Sequence, residues 1–383
     1  MALKDIGSGA VSIESVPMTA GRDPAGFRSQ FPVFERLSYL NAGTEGPLPR
    51  RAAEAVHARI DLEVTRGRCG HEYFEELAGL AERLRASYAG VLGCDQTEVA
   101  LTGSTTDGVN TVLAGLDLGA GDEIITSDEE HPGLLAPLGL ARRRRGIEVR
   151  VVPFTQVAAA VTASTRLIAC SHVSWVSGRV ADVEALTATG VPVLLDAAQA
   201  IGAIPVDVRA LGVDFYAASG QKWLCGPEGS GCLFVRQNRL DRLLVPWPGY
   251  GSLADPANAL QFDPAEGAKR LDHGFPPGVR STAALASLEV LGEAGWEWVH
   301  QRAAALAAWL ADRLGELGLE VGPRGRSTLV SWKAEDPQAE VERLAAQGFI
   351  VRSIPAFGLL RASVGAWSSE SELEGLATLA AGR

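Results

Sequence analysis

From about residue 49 the apolar positions first recur at helical spacing and then break up into short runs, and this change of period sets the reading of the fold. Helices are predicted near 49–67 and 71–92. In the second, Phe74, Leu77, Leu80, Leu84 and Tyr88 return at steps of three and four and mark one apolar stripe. Beyond residue 97 the chain reads EVALTG, DEIITS, IEVRVVPF, TRLIACSHVS, VPVLLDAA, FYAASG and GCLFVR, each of strand length. Helical segments such as STTDGVNTVLAGL and GLLAPLGLARRR separate most of them. Strands alternating with helices imply βαβ units, hence an α/β fold with a mostly parallel sheet flanked by helices on both faces.

Turn residues divide this pattern. Residues 1–24 are small, polar and rich in Gly and Pro, which predicts a tail that orders only on docking. Asn41–Pro49 reads as a loop before a helix. Between Val245 and Gly278 the composition turns to Pro, Gly and aromatic residues, as in PWPGYGSLADP and DHGFPPGVR, and the change of domain is placed there. A large domain over 25–275 and a small C-terminal α+β domain over 276–383 are expected. The latter comprises a long helix (WEWVHQRAAALAAWLADRLGELG), segments GLEVGP and STLVSWKA, a helix at 337–347, strands IVRSI and LLRASV, and a last helix from Glu370.

Composition narrows the function. A chain of 383 residues can bury a full core without disulfides or metal. Its five cysteines, Cys69, Cys94, Cys170, Cys225 and Cys232, show no paired short spacing, so neither a disulfide framework nor a zinc site is expected. Cys225 and Cys232 read as buried or semi-buried thiols. A net charge of −11 opposes nucleic-acid binding. The one basic block, Arg142–Arg145, reads as a solvated face at a helix end. No signal peptide or membrane-spanning apolar run is visible, so a soluble, cytoplasmic protein is expected. The glycine turns GPEGSG and LGAGDE do not form the dinucleotide fingerprint.

The candidate chemistry lies in Val193–Val235, where one apolar strand ends in Asp196 and a second ends at Ser219, three residues before Lys222. Both side chains then fall at the carboxyl edge of a parallel sheet, where open α/β folds bind ligands. Singly, Lys222 reads as a solvated loop residue and Asp196 as a cap. A lysine amine that condenses with an aldehyde and a carboxylate that keeps a pyridinium protonated are also what a pyridoxal phosphate (PLP) site requires. LLDAAQA and DFYAASGQKWLCGPEGSG resemble the class V aminotransferases, the PLP fold-type I group that includes cysteine desulfurases, cyst(e)ine lyases, kynureninases and isopenicillin N epimerase-like proteins.

That resemblance implies roles along the chain. Lys222, Asp196 and His131 become the catalytic set, with PLP as cofactor and no metal. Thr105 and Thr106, in a strand-to-helix turn that otherwise reads as a plain N-cap, become phosphate ligands, joined by Ser219 and Gln221. Gln221 departs from the histidine often found before the lysine. His131, otherwise an exposed turn residue, becomes the ring stacked on the pyridine; Ala198 lies beneath it and Gln199 donates to the phenolic oxygen. Arg361 becomes the receptor of the substrate carboxylate, or else half of a structural ion pair, with Arg352 a second candidate. Asn41, in a loop that reads equally as a connector, and Trp175, which reads equally as core, are expected at the substrate pocket. Phe275 stands where relatives often carry a threonine reaching the partner subunit's phosphate; Arg280, Ser281 or Thr282 are possible substitutes. A homodimer is implied by resemblance alone.

The desulfurases place a cysteine on a mobile loop shortly before that arginine. Here the segment is FIVRSIPAFGLLR, and no cysteine follows Cys232. The expectation is therefore a carbon–sulfur β-lyase of the cysteine/cystine or sulfoxide type. An aminotransferase or epimerase of the same family, and a non-catalytic PLP-fold binding protein, are the alternatives.

Overall fold

The computed structural model describes residues 23–272, 274 and 277–382. Residues 1–22 of the expected tail and Phe275 lie outside the described residues. The centre is a seven-stranded sheet of β1 (Val99–Thr102), β2 (Glu123–Ser127), β3 (Glu148–Val152), β4 (Thr165–Ser171), β5 (Val193–Asp196), β6 (Phe215–Ser219) and β7 (Gly231–Val235), in the order β1-β7-β6-β5-β4-β2-β3. Only β7 runs against the others. Strands β2, β5, β6 and β7 are buried throughout, as continuous apolar runs covered on both faces require. After β3 the chain returns to the other side of β2 to form β4. The crevice at that switch is where an open parallel sheet accepts a ligand.

Helices Arg50–Arg66 and Gly70–Leu92 form close to the expected spans. Leu77, Leu80, Leu84 and Tyr88 are buried, whereas Phe74, one turn earlier, is 46% exposed and packs edge-on against Tyr73. A third helix, Gly278–Ala294, lies beside them, tied by Arg51 to Glu289 (2.8 Å) and Glu293 (2.6 Å). Sequence reading missed this helix. Its buried residues include Ser281, Ala283, Ala284, Ala286, Ser287, Leu288, Val290 and Leu291, so small residues cover most of its circumference and no single stripe forms.

The arginine block is not wholly a solvated face. Arg145 donates to the carbonyls of Leu113 (3.0 Å), Ala114 (2.8 Å) and Leu116 (2.7 Å), closing the end of the helix Thr105–Gly115. Cys225 and Cys232 are fully buried.

The C-terminal part is a three-stranded antiparallel sheet, β8 (Leu329–Lys333), β9 (Arg352–Ile354) and β10 (Leu359–Ser363), ordered β9-β10-β8. Leu306, Leu310 and Leu314 of the helix Trp296–Glu316 and Leu373 and Leu376 of the last helix, Glu370–Ala380, form its core with Val330, Trp332 and Leu360. Ser38 and Tyr39 pair in parallel with Phe349 and Ile350, and Asn41 bridges Ser363, so the N-terminal segment is stitched to this sheet. The loop after β4 docks there too: Ser331 Oγ donates to the Val176 carbonyl (2.7 Å). Among the described residues no helix is long and apolar enough to cross a membrane.

Candidate active site

Five segments that follow carboxyl ends of strands meet at one cleft of ≈250 Å³. After β1, Ser104 Oγ accepts the Asp107 N–H (3.1 Å) and Asp107 Oδ2 accepts the Gly103 N–H (2.7 Å). These reciprocal bonds fix the start of the helix Thr105–Gly115, whose first N–H groups have no acceptor within the helix. The hydroxyl of Thr105, the hydroxyl of Ser219 after β6 and the carboxamide oxygen of Gln221 are buried without a hydrogen-bond partner. The two unmet hydroxyl donors beside a helix N-terminus fit a phosphate group, which accepts from all sides; the Gln221 oxygen only accepts, so Gln221 can serve the same group through its amide N–H.

After β2, His131 caps the helix Pro132–Arg145 by accepting the Gly133 N–H at Nδ1 (2.9 Å) and meets Trp175 edge-on at 5.1 Å. Burial, then the nearby Lys222, Arg361 and Arg352, push His131 down to about 4, so its ring is neutral near pH 7. Preceding it, Glu130 is buried under the crevice; it accepts from Ser127 Oγ (2.5 Å), Ser171 Oγ (2.5 Å) and the Ser171 N–H (3.0 Å). Burial outweighs those bonds and raises it to about 7.

Asp196 ends β5, the strand next to β6. Its Oδ1 accepts the Ala198 N–H (2.9 Å); burial raises its pKa, while that bond and Lys222 pull it back. Gln199 is fixed at both ends, donating to the Gly43 carbonyl (2.7 Å) and accepting from Trp223 Nε1 (3.0 Å). One of its two N–H donors is left over. Lys222 is brought down to about 8, chiefly by burial, with Asp196 and Glu45 opposing and Arg361 and Arg352 assisting. An amine so placed is a better base and nucleophile near neutral pH than a surface lysine.

The small sheet contributes the cationic wall. Arg361 is buried on the central strand β10; one guanidinium nitrogen donates to the Trp175 carbonyl (2.5 Å) and Nε has no partner. Directly across the antiparallel pair stands Arg352, also lining the cleft. Like charges opposite one another destabilise a sheet. Burial and Arg352 both press the Arg361 guanidinium below its ordinary value. It stays charged all the same, because guanidinium is not deprotonated in proteins. Among the described residues none of Lys222, Asp196, Glu45, Arg352 or Arg361 forms an ion pair, so the structural ion pair weighed for Arg361 finds no carboxylate there. Such a set is complementary to an anion-bearing ligand.

Of the catalytic, cofactor and substrate residues expected from sequence, all but Asn41 line this cleft; Arg280 and Ser281, weighed as substitutes for the partner-subunit contact, line a separate cavity, and Thr282 lines a third. Asn41 instead accepts the Thr44 hydroxyl at Oδ1 (2.8 Å) and the Thr44 and Glu45 N–H groups at its carbonyl (2.9 and 3.2 Å), shaping the turn that delivers Gly43, Thr44 and Glu45. Two glycines let that turn in. A Cβ on Gly43 would meet Ser363 Oγ, Arg361 and Gln199 Oε1 at 2.8–2.9 Å; one on Gly46 would fall 1.9 Å from the Lys222 carbonyl oxygen. Sequence reading passed over Ser171 and Val173, and it marked the loop Asn41–Pro49 and the turn from Ser104 without singling out Gly43, Thr44, Glu45 or Ser104. The NAGTEGP run was the available signal for Gly43, Thr44 and Glu45, since two glycines within four residues mark close backbone approach.

Comparison with known proteins identifies the family. The family model described as aminotransferase class-V matches residues 39–369. A cysteine desulfurase of Klebsiella pneumoniae (strain 342) is 34% identical over 259 residues, 59% of this chain and 61% of that one, so the chain spans under two thirds of that relative. A kynureninase of Deinococcus radiodurans is 31% identical over 74% of this chain and 73% of its own. Among solved structures, the cystine C–S lyase C-DES in complex with its reaction product cysteine persulfide superposes with a TM-score of 0.87 at 28% identity, covering 92% of this chain and 99% of that one.

Proposed function

The chain belongs to the class-V aminotransferase family, and on that premise we propose that it is a PLP-dependent enzyme that cleaves the carbon–sulfur bond of a small amino acid by β-elimination. PLP, when bound, supplies an aldehyde that condenses with amines and a ring that withdraws the electron pair left at a neighbouring carbon. Thr105, Thr106, Ser219, Gln221 and the first-turn N–H groups would hold its phosphate, and His131 and Ala198 would pack against its ring. Asp196 would keep the ring nitrogen cationic, and the spare Gln199 donor would serve the phenolic oxygen.

Lys222 would anchor the cofactor and, once freed, would take the Cα proton; an amine held near 8 is partly neutral at physiological pH. Arg361 binds the α-carboxylate through a planar fork. In the net reaction the Cα–H pair becomes the Cα–Cβ double bond and the C–S pair leaves on sulfur. Water then releases the remaining carbons as pyruvate and ammonia.

A missing thiol carries the choice of lyase. No cysteine occurs after Cys232, the cleft lining includes none among the described residues, and β9 and β10 are joined by the short turn Pro355–Phe357 and Gly358. Sulfur must therefore leave to solution. The likeness to a cystine C–S lyase supports the same reading. Arg352 opposite Arg361 favours a substrate with a second carboxylate, since one anion between two arginines leaves a charge unmet.

A homodimer is part of the proposal. Leu244, Trp247, Tyr250, Leu260 and Phe262, all within one irregular stretch of sequence, are each exposed, which supports burial of this stretch against a second copy. The deciding experiment is to incubate the holoenzyme with cysteine or cystine without keto acid. Pyruvate with sulfide or persulfide is expected; accumulation of pyridoxamine phosphate without pyruvate would establish a transaminase instead.

A further inference from the structure

We infer that Glu129 is a positioning residue that sets Arg361 for the substrate carboxylate by organising the turn on which the small sheet docks. The inference rests on Arg361 as the receptor of that carboxylate and concerns what holds it in place.

The turn is Ser174–Arg179, in the loop after β4, and two serine hydroxyls build it. Ser174 Oγ accepts the Val176 and Ser177 N–H groups (both 3.1 Å), and Ser177 Oγ accepts the Arg179 N–H (3.2 Å). A hydroxyl has one proton to give. Both serines give theirs to the same carboxylate oxygen, Glu129 Oε2, Ser177 at 2.5 Å. One acid, two residues before His131, thereby orients the lone pairs that receive three backbone N–H groups. Arg179 Nε lies 3.9 Å from Glu129 Oε1, beyond hydrogen-bond range, so its charge assists without fixing geometry.

The small sheet grips two consecutive carbonyls of this turn. The Trp175 carbonyl accepts from Arg361 (2.5 Å) and the Val176 carbonyl from Ser331 Oγ (2.7 Å), and Ser331 is the residue directly opposite Arg361 in the β10–β8 pair. The fit is close: a Cβ on Gly178 would sit 2.9 Å from the Leu329 carbonyl oxygen and from Ser327 Oγ. Among the described residues the Trp175 carbonyl is the one hydrogen-bond acceptor of the Arg361 side chain, whose Nε is left without a partner. The direction of the open edge of a planar guanidinium then follows the carbonyl that holds it. Without Glu129 both hydroxyls rotate freely, the N–H groups of the turn lose their oriented acceptors, and the Trp175 carbonyl shifts. Lys222 and Asp196 stand beyond other strands and His131 keeps its own bond from Gly133 (2.9 Å), so the loss falls on carboxylate recognition.

Two small amines separate this effect from a general loosening of the site. Glycine has no β-carbon and cannot eliminate; methylamine lacks only its carboxylate. Binding of each to the holoenzyme is read from the change of its visible absorption band. Glu129→Ala and the milder Ser177→Ala should each weaken glycine about tenfold and leave methylamine and the resting band unchanged. Glu129→Gln, which keeps an acceptor oxygen, should recover most of the loss. In an Arg361→Ala background, Glu129→Ala should change glycine affinity less than about twofold, because the two residues act as one unit. Unchanged glycine binding in Glu129→Ala, an equal loss for both amines, or full additivity with Arg361→Ala overturns the inference. If Arg361→Ala itself fails to weaken glycine, the carboxylate role of Arg361 falls and this inference with it; a loss there without one in Glu129→Ala leaves that role standing and strikes the inference alone.

Discussion

The sharpest single perturbation is one methyl group at Gly46. A Cβ there falls 1.9 Å from the Lys222 carbonyl oxygen, 3.0 Å from its carbonyl carbon and 3.2 Å from the Cys225 Cα. Real Cβ atoms do not approach within 3.0 Å, so the backbones must part by at least about 1.1 Å. Little slack exists on the Lys222 side. Cys225, whose N–H bonds that same carbonyl (3.1 Å), already holds φ 55, a left-handed conformation that costs a side-chain-bearing residue of order 1 kcal/mol. If the loop retreats instead, the 2.7 Å bond from the Gly46 N–H to Gln221 is lost and Gly43 is dragged from between Arg361 and Gln199. Overpacking of this kind costs about 1–3 kcal/mol and the lost bond about 1 more. At the entropy of unfolding of a chain this long, that lowers Tm by only ~2–5 °C. Catalysis should suffer more, because a displacement of about 1 Å between base and substrate costs ~100-fold. Gly46→Ala should therefore stay folded, shift the visible band of the bound cofactor, and lose about two orders of magnitude in kcat/KM. Gly90→Ala is the control. Its Cβ meets nothing within 4 Å near the end of the helix Gly70–Leu92, and it should gain ~0.5–1 kcal/mol with full activity. Wild-type kcat/KM in Gly46→Ala would refute the tight docking of this loop on the lysine.

Two further outcomes follow from the same site. Thr105→Val and Ser219→Ala remove hydroxyls that lack protein partners, so the cofactor-free protein should melt within ~1 °C of wild type, while cofactor release at equilibrium should rise about 10-fold or more for each; equilibrium dialysis of PLP checks this, and unchanged affinity would remove both from the phosphate site. With Lys222 as the base, kcat should fall as pH drops below about 8, where the amine takes up a proton, and level off above it; a profile flat from pH 6 to 9 would exclude free Lys222 as the rate-limiting base.

The fold was legible wherever one physical signal dominated. Short apolar runs such as VLLD and FYAAS read as strands because residues buried on both faces of a parallel sheet leave no room for polar alternation. Gly278–Ala294 escaped notice for a related reason, since a helix buried by small residues around most of its girth carries no stripe. Arg145 looked like solvated charge because nothing in its own helix reveals that the carbonyls it caps belong to another.

In the site, the sequence by itself determined the residues whose chemistry is tied to strand ends. Asp196, Ser219, Lys222, Thr105 and His131 each follow the carboxyl end of a strand, and a parallel sheet brings all such ends to one edge whatever the loops do. Only the tertiary structure decided what faces them. Arg361 comes from 139 residues after Lys222, and Glu45 from a loop 177 residues before it, set by Gly43 and Gly46 rather than by any motif of its own. That Arg352 lies opposite Arg361, and that neither finds a carboxylate among the described residues, depends on strand register and on the docking of the small sheet against the loop after β4. Local pattern fixes which edge of a sheet a side chain reaches; the balance of charge in a cleft is a sum over segments far apart in the chain, and only their packing supplies it.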